Sequence, residues 1–307
     1  MRIRWFVERL SRRARHMFGM IAAGGLLSLA AVSCAQTDAQ EDLIIVSGAS
    51  GNLGGLTVQA LLDSGVDPGR LILVSRTPEE LAEYAAMGAS TRFGDFTQPE
   101  SLAAAYAGGK RMLLISMGGG NLPEPRPVLQ KRAIDAAVAA GVELIAYTSW
   151  AAISQGDTEG ISSDHYATEQ MLMESGVAWT MLRNSVYMDG LPAQAEGMIQ
   201  SGTASVPSND VAMGYITRAD CAAAAAAVLT TPGHENMIYD LTGPELVGAR
   251  EIAEAASAVS GTEIEIIEGG AGGGGFGIAS LGFVSDDFET LTGRRPTSIR
   301  ELLEGAR

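Results

Sequence analysis

The sequence has very few residues of the types that form covalent cross-links or basic surfaces. Its 307 residues include two cysteines, Cys34 and Cys221, and two lysines, Lys110 and Lys131. So few cysteines exclude a disulfide framework. The formal net charge is −15, and because residues 1–35 contribute six Arg and one Glu, the rest of the chain carries −20. Such an acidic chain excludes nucleic acid as an expected partner.

The N-terminal segment has the layout of an export signal. Its arginines precede an apolar run over 17–32, and a polar stretch follows, which is typical of a signal peptide. We expect 1–35 to be a signal peptide or membrane anchor and 36–42 a linker. The apolar run is shorter than the roughly 20 residues of a spanning helix. The Ser-Arg-Arg sequence at 11–13 resembles a twin-arginine signal, and Cys34 is an alternative lipid attachment point. We expect an exported, periplasmic or membrane-associated protein, or a cytoplasmic one if the segment is no signal.

A glycine-rich turn follows the first apolar strand pattern. Residues 43–54 read LIIVSGASGNLG and lead into a helix-like segment. Gly48 allows a sharp turn, Gly51 leaves room for a pyrophosphate, and Gly54 lets the helix lie close to the strand. The first N–H groups of the helix are then free to bind phosphates. The alternative is a tight turn without a ligand. The predicted cofactor-binding residues here are Gly48, Ser50, Gly51, Asn52, Leu53 and Gly54.

Arg76 stands at the tip of the next predicted strand. Residues 70–76 read RLILVSR, and the tip of this strand holds the acidic residue that binds the ribose hydroxyls of NAD in dinucleotide-binding folds. A guanidinium instead binds a 2′-phosphate through charged, bidentate hydrogen bonds. With Ser75 and Thr77 as further donors, Arg76 predicts NADPH rather than NADH. The alternative is a solvated charge at the strand end.

Two later strand ends point to the same crevice. Asp95 and Phe96 follow the third predicted strand, and Ser116 and Met117 follow the fourth. Ligands bind beyond the carboxyl ends of parallel strands, so we expect the first pair near adenine and the second near the ribose and nicotinamide. Taken singly, each is equally well explained as a loop that ends a strand.

The alternation of strand and helix patterns predicts the fold. It favours a Rossmann-like, doubly wound parallel sheet of the α/β class, covered by helices on both faces. We expect an NAD(P)-binding domain over 43–185 and a small C-terminal substrate lobe over 186–307. The glycine run at 269–277 predicts a hinge or mobile loop. Strands are predicted near 43–47, 70–75, 90–93, 111–116, 143–148, 178–182 and 237–241, the last returning to the sheet, and helices over 78–86, 98–107, 127–140, 164–175 and 298–304.

An incomplete acid–base pair follows the fifth strand. Ser149 ends that strand, and a Tyr-x-x-x-Lys pair on the next helix would let the tyrosine protonate a carbonyl. The tyrosine is present as Tyr166, but the lysine position holds Gln170. Without the cation, Tyr166 is expected to be a poor acid at neutral pH, which disfavours ordinary carbonyl reduction. His165 is an alternative proton source or a solvated helix-cap residue.

Together these motifs resemble the NmrA-like atypical short-chain dehydrogenase/reductase family, and within it the type-2 NAD(P)H:quinone oxidoreductases. The resemblance covers residues 43–265 and a shortened match at the C-terminus. Two departures are Gln170 in place of the family's lysine and a shortened, glycine-rich lobe. The residues that carry the resemblance are 47–54, 74–76, 94–95, 113–116, 145–149, 165, 169, 171–172, 182–184, 187 and 217–220.

The resemblance implies an enzyme that binds NADP(H), uses neither flavin nor metal, and passes hydride directly to a quinone-like acceptor. Such transfer needs mainly proximity and orientation, which tolerates the loss of the lysine. Under this hypothesis Tyr166, Ser149 and Asn184 are the catalytic residues, and Gln170 joins the cofactor site. Trp150 and Tyr187 line the acceptor slot, for which ordinary core packing is the alternative.

Two other functions fit the same motifs. One is a non-catalytic NAD(P)-sensing regulatory or binding protein, which the missing lysine favours and the export-like leader disfavours. The other is a sugar-nucleotide or isomerase-type enzyme, disfavoured because the Tyr/Lys pair is incomplete. The sequence indicates neither the acceptor's identity nor the oligomeric state.

Overall fold

The computed structural model describes residues 42–118, 122–153, 160–269 and 279–306. These belong to one compact unit spanning Gln40–Arg307. The predicted signal segment 1–35 lies outside the described residues, as does the predicted glycine hinge beyond Gly269. The boundary expected at residue 185 stays a prediction. Within the described part of the chain, no helix is both long and apolar enough to cross a membrane.

The elements alternate along the chain. Their bounds are β1 (Ile44–Ser47), α1 (Asn52–Asp63), β2 (Leu71–Ser75), α2 (Ala82–Ala86), β3 (Ser90–Phe93), α3 (Leu102–Tyr106), β4 (Arg111–Leu114), α4 (Arg126–Ala139), β5 (Leu144–Trp150), α5 (Gly160–Glu174), β6 (Ala178–Asn184), α6 (Leu191–Ser201), β7 (Thr203–Val206), α7 (Arg218–Thr230), β8 (Met237–Leu241), α8 (Ala249–Ser260), β9 (Glu265–Glu268), α9 (Asp287–Thr292) and α10 (Ile299–Gly305).

Seven strands form one sheet in the order β3-β2-β1-β4-β5-β6-β8. Each neighbouring pair is parallel. This arrangement confirms the predicted Rossmann-like α/β fold. The seven strands are those predicted, except that β5 and β6 extend two residues further and β4 ends two residues earlier, at Leu114. A separate parallel pair, β7 and β9, was not predicted. The carboxyl ends of the central strands therefore meet at one edge, where ligands bind in such sheets.

The sheet is buried on both faces. Ile44 and Val46 pack on one face with α1 and α7, and Ile45 packs on the other face with α3, α4 and α5. This alternation follows from the twofold period of a strand. Helices α1 and α7 lie against each other, and α7 contributes mostly small side chains to that contact. Its buried alanines are Ala222, Ala224, Ala225 and Ala226.

The C-terminal region has its own apolar cluster, to which α6, α8 and α10 contribute. Asp220, near the start of α7, connects this helix to the segment just before α10, and its side chain is 1% exposed. The Asp220 Oδ2 accepts from Thr217 Oγ1 at 2.8 Å and from the Thr297 N–H at 2.9 Å. Arg294 Nη2 lies 2.7 Å from Asp220 Oδ1. This carboxylate therefore joins the last segment of the described chain to the main sheet's helices.

Candidate active site

The glycine-rich turn lies between β1 and α1. Gly48 has φ of +96°, a value that glycine adopts without strain. The N–H groups of Gly48 and Ala49 donate to the Val74 carbonyl at 2.9 and 3.0 Å, which holds the turn against β2. Helix α1 begins at Asn52 with Gly51 as its N-cap. Because glycine has no side chain to cap the helix, the first N–H groups are left for another acceptor.

The spaces around the glycines fit a dinucleotide pyrophosphate. A Cβ on Gly54 would lie 2.1 Å from the Gly48 carbonyl oxygen and 2.8 Å from the Ala49 Cα. The predicted close approach of helix and strand is thus confirmed. Apart from its chain neighbours, a Cβ on Gly51 would meet a single atom of the described residues within 4 Å, the Gly48 oxygen at 3.3 Å. The side of Gly51 away from that oxygen is therefore open, as a bound phosphate requires.

A cavity of about 470 Å³ opens beside this turn. It brings together residues from the ends of β1, β2, β3 and β4, the four strands singled out from the sequence. Eight predicted cofactor residues line it, namely Gly48, Ser50, Gly51, Arg76, Asp95, Phe96, Ser116 and Met117. The lining does not include Asn52, Leu53 or Gly54 in the first turn of α1, or Gln170 on α5.

The cavity also has walls that sequence reasoning missed. Ser47, Val74, Ile115 and Leu122 line it. The first three lie at or just beyond strand ends, so the rule that parallel strands end at one edge would have found them. Leu122 does not follow a strand end directly and has no comparable signal in the sequence.

Two of the polar residues that line the cavity already form hydrogen bonds with nearby residues. The Asp95 carboxylate accepts from the N–H and Oγ1 of Thr97 at 2.8 and 2.9 Å. Ser116 N–H donates to Thr148 Oγ1 at 2.8 Å, and this bond joins the ends of β4 and β5. Arg76 is exposed at the tip of β2. Its guanidinium is therefore placed at the solvent side of the cavity it lines.

Ser149 belongs to a buried ionic network. Its hydroxyl donates to Glu169 Oε1 at 2.7 Å. Arg183 donates to both oxygens of the same carboxylate, from Nε at 2.9 Å and from Nη2 at 2.7 Å. The Glu169 side chain is 1% exposed and that of Arg183 is 17% exposed. Hydrogen bonding to Glu169 raises the pKa of Arg183. The Ser149 hydroxyl hydrogen is thus held by a carboxylate.

The predicted catalytic residues do not form one cluster. In the β5–β6 register, Ser149 pairs with Arg183 and Trp150 pairs with Asn184. Because successive residues of a strand face opposite sides of the sheet, Asn184 points away from the face that carries Ser149. Tyr166 lies half-buried on α5. The roles of Ser149, Tyr166 and Asn184 stay predictions.

Asn184 instead contacts one of the predicted acceptor residues. Its Nδ2 donates to Tyr187 Oη at 3.1 Å. The Asn184 Oδ1 is buried and has no hydrogen-bond partner in the described part of the chain. The Arg218 guanidinium carbon lies 4.3 Å from the centre of the Tyr187 ring, and burial raises the pKa of the Tyr187 phenol. Trp150 packs half-buried beside the C-terminal apolar cluster.

His165 lies in a buried polar cluster and is not a solvated helix cap. The His165 Nδ1 lies 2.8 Å from Tyr147 Oη. Burial, and to a smaller extent the nearby Arg126 charge, lowers the pKa of His165 to about 3. The Arg126 side chain is 7% exposed, and its closest acidic atom in the described residues is Asp164 Oδ2 at 3.8 Å. His165 is therefore neutral at neutral pH, which makes it a poor proton source.

Comparison with known proteins supports a coenzyme site. A family model described as NAD(P)H-binding matches residues 48–232. Quinone oxidoreductase 2 of Escherichia coli (strain K12) is 34% identical over 226 residues, which cover 72% of this chain and 76% of that protein. The NAD(P)H azoreductase of Xenophilus azovorans is 29% identical over 227 residues, which cover 73% of this chain and 76% of that protein.

Solved structures of similar proteins include coenzyme complexes. The Citrobacter sp. triphenylmethane reductase complexed with NADP(H) is 30% identical, with a TM-score of 0.76, over 86% of this chain and 100% of that chain. An NADPH-dependent quinone oxidoreductase from Escherichia coli, complexed with NADPH, is 28% identical, with a TM-score of 0.74, over 86% of this chain and 99% of that chain.

Proposed function

Because the chain belongs to the NAD(P)H-binding, NmrA-like family, we propose that it is an NADPH-dependent reductase of quinone-like acceptors that works without flavin or metal. The similar proteins are NAD(P)H-dependent oxidoreductases, which supports an oxidoreductase role and NADP(H) binding. The observation that carries the proposal is the cavity between the Gly48–Gly54 turn and Arg76. It joins a pyrophosphate-sized opening to a cation suited to a 2′-phosphate.

Each part of the cavity has a proposed task. The free N–H groups at the start of α1 bind the pyrophosphate, and Arg76 binds the 2′-phosphate. Ser116 and Met117 hold the ribose and nicotinamide end. The bound coenzyme supplies the hydride, and the protein's contribution is to hold donor and acceptor together. Gln170, which lies half-buried on α5, carries no charge and contributes at most hydrogen bonds.

The acceptor is proposed to lie near the ends of β5 and β6. Trp150 and Tyr187 offer flat apolar surface, and the unpartnered Asn184 Oδ1 is an acceptor for a ligand hydroxyl. Ser149 is proposed to act through Glu169 as a positioning residue, since its hydrogen is already donated. Protons reach the reduced product from solvent or from half-buried Tyr166.

The test is NADPH oxidation by purified protein with a panel of benzoquinones and naphthoquinones. We expect oxidation that depends on the quinone and yields hydroquinone in equal amount. Absorption spectra and metal analysis of the same preparation should show neither flavin nor a stoichiometric metal. Coenzyme binding without oxidation of any acceptor would overturn the reductase proposal.

That last outcome would favour a non-catalytic NAD(P)-sensing protein. Two observations support this second candidate: the lysine position holds Gln170, and the Ser149 hydroxyl is committed to Glu169. Binding of NADPH and NADP⁺ with different affinities, combined with no turnover, would distinguish a sensor from an inactive preparation.

We also propose that residues 1–35 direct the protein out of the cytoplasm or anchor it to a membrane. The support is the sequence layout alone, with its arginines ahead of an apolar run. A mass spectrum of the mature protein would show the cleavage. A full-length soluble protein recovered from the cytoplasm would contradict the proposal.

A further inference from the structure

A chain of hydroxyl groups runs from the cavity to an exposed carboxylate. Ser50 Oγ lies 2.7 Å from Ser75 Oγ, and Ser75 Oγ lies 3.3 Å from Thr77 Oγ1. Thr77 Oγ1 donates to Glu80 Oε2 at 2.8 Å. The Thr77 N–H also donates to Ser75 Oγ at 2.9 Å. Ser50 and Ser75 line the cavity together with Arg76, whereas Thr77 and Glu80 are not part of its lining.

The carboxylate determines the direction of every hydrogen in this chain. An ionised Glu80 only accepts, so the Thr77 hydroxyl hydrogen points to it. A hydroxyl has a single hydrogen, and Thr77 therefore accepts from Ser75, which in turn accepts from Ser50. The result is that all three hydroxyl hydrogens point along the chain toward Glu80. Toward the cavity, Ser50 presents lone pairs.

This order disfavours a 2′-phosphate and suits a ribose hydroxyl. A phosphate has only acceptor oxygens and binds to donors, whereas a ribose 2′-hydroxyl can donate to a lone pair. Arg76 attracts the phosphate, but the Ser50 and Ser75 hydroxyls donate no hydrogen bond to it while their hydrogens point along the chain toward Glu80. The negative charge of Glu80 also repels the 2′-phosphate, which further disfavours NADPH.

We propose that Glu80 is a specificity-determining residue that reduces the preference of this site for NADPH over NADH by ordering the Ser50–Ser75–Thr77 hydroxyls. Glu80 acts through Thr77 and is a positioning residue. The inference rests on the proposed function, because it deepens the coenzyme preference of the same cavity. It means that Arg76 and Glu80 act in opposite directions on the preference of the site for NADPH over NADH.

The experiment measures dissociation constants of NADPH and NADH by fluorescence titration of wild-type protein and Glu80→Gln. We expect Glu80→Gln to bind NADPH about three- to tenfold more tightly, because the glutamine amide can donate to Thr77, which lets the hydroxyl order reverse and the Ser50 hydroxyl donate to the phosphate. NADH affinity should change by less than about twofold. The matched control is Glu79→Gln, which removes the same charge from the adjacent exposed residue outside the hydroxyl chain.

A double-mutant cycle separates the hydroxyl chain from simple charge repulsion. Thr77→Val keeps the side-chain shape and removes the hydroxyl that links Ser75, at 3.3 Å, to Glu80, at 2.8 Å. In that background Glu80→Gln should no longer change the NADPH-to-NADH ratio. A ratio that Glu80→Gln leaves unchanged in the otherwise wild-type protein would overturn the inference. So would a Glu80→Gln effect that is as large in the Thr77→Val background as in the wild type, or a Glu79→Gln effect as large as that of Glu80→Gln.

The same titrations distinguish this inference from the proposed function. If the wild-type protein binds neither coenzyme, the coenzyme assignment is refuted and the role of Glu80 with it. If NADPH binds and the Glu80 variant behaves like wild type, the coenzyme assignment stands and the hydroxyl chain has no part in selectivity. Titration with 2′,5′-ADP and 5′-AMP should reproduce the difference, since these probes differ only in the 2′-phosphate.

Discussion

Replacing Gly54 with alanine tests whether the close approach of α1 to the β1 turn sets coenzyme binding. The new Cβ would lie 2.1 Å from the Gly48 carbonyl oxygen. Carbon–oxygen contacts relax at about 3.3 Å, so α1 must shift by roughly 1 Å. That shift disturbs Val58 and Leu61, which are 0% exposed. We expect a loss of about 2–3 kcal/mol of stability and at least about a tenfold loss of NADPH affinity.

Two neighbouring glycines provide matched controls. Gly51→Ala adds a Cβ that meets only the Gly48 oxygen, at 3.3 Å, so stability should change by less than about 1 kcal/mol. The same Cβ projects into the opening for the pyrophosphate, so NADPH affinity should fall. A Cβ on Gly55 has nothing within 4 Å. Gly55→Ala should therefore leave binding unchanged and stabilise the helix by about 0.5–1 kcal/mol.

The three variants are compared by urea unfolding, followed by circular dichroism, and by NADPH titration. The expected pattern is loss of stability and binding for Gly54→Ala, loss of binding alone for Gly51→Ala, and loss of neither for Gly55→Ala. Equal unfolding midpoints for Gly54→Ala and Gly55→Ala would refute the reasoning about helix approach. Wild-type affinity in Gly51→Ala would refute the pyrophosphate position.

Three further outcomes follow from the site. Arg76→Glu should weaken NADPH binding at least about tenfold and leave NADH binding nearly unchanged. Titrations that show the same preference for NADPH over NADH as the wild type would exclude Arg76 from 2′-phosphate binding. Glu169→Gln should lower the free energy of unfolding by about 2–4 kcal/mol, because it leaves the Arg183 charge buried without its partner. Ser149→Ala should lower it by only about 1 kcal/mol in the same urea assay. Equal effects of the two substitutions would contradict the ionic network. Because burial lowers the pKa of His165 to about 3 from 6.5, the unfolded chain gains a proton that the folded one does not, and stability should fall by about 1.4 kcal/mol between about pH 7.5 and pH 5.5. His165→Gln should lose that part of the pH dependence, and an unchanged pH profile would show that His165 titrates in the folded state.

The main sheet and the coenzyme edge were predictable because they depend on local patterns. The strands containing Ile45, Ile72 and Leu113 are buried on both faces, and such strands appear as continuous apolar runs. Once the strands are parallel, their carboxyl ends share an edge. The positions of Gly48 and Arg76 at the cavity then follow from their places in the sequence.

Other features depend on contacts between distant segments. Strands β7 and β9 pair across about sixty residues, and each is too short and too mixed in exposure to give a clear signal. The hydrogen bond from the Ser149 hydroxyl to Glu169 depends on the register of β5 against β6 and on how α5 is rotated about its axis. Neither is encoded in a motif, so the sequence placed Ser149 at the end of the strand but gave no sign of its hydrogen bond to Glu169.

The alanine-lined contact between α1 and α7 has a consequence for residues far from the coenzyme. The distance between two packed helices depends on the side chains at their contact. Enlarging Ala224 or Ala225 to leucine should displace α1, whose close approach to the turn depends on Gly54. We therefore expect coenzyme affinity to respond to changes on a helix that does not line the cavity, and such a defect would be mistaken for a remote regulatory effect when its origin is steric.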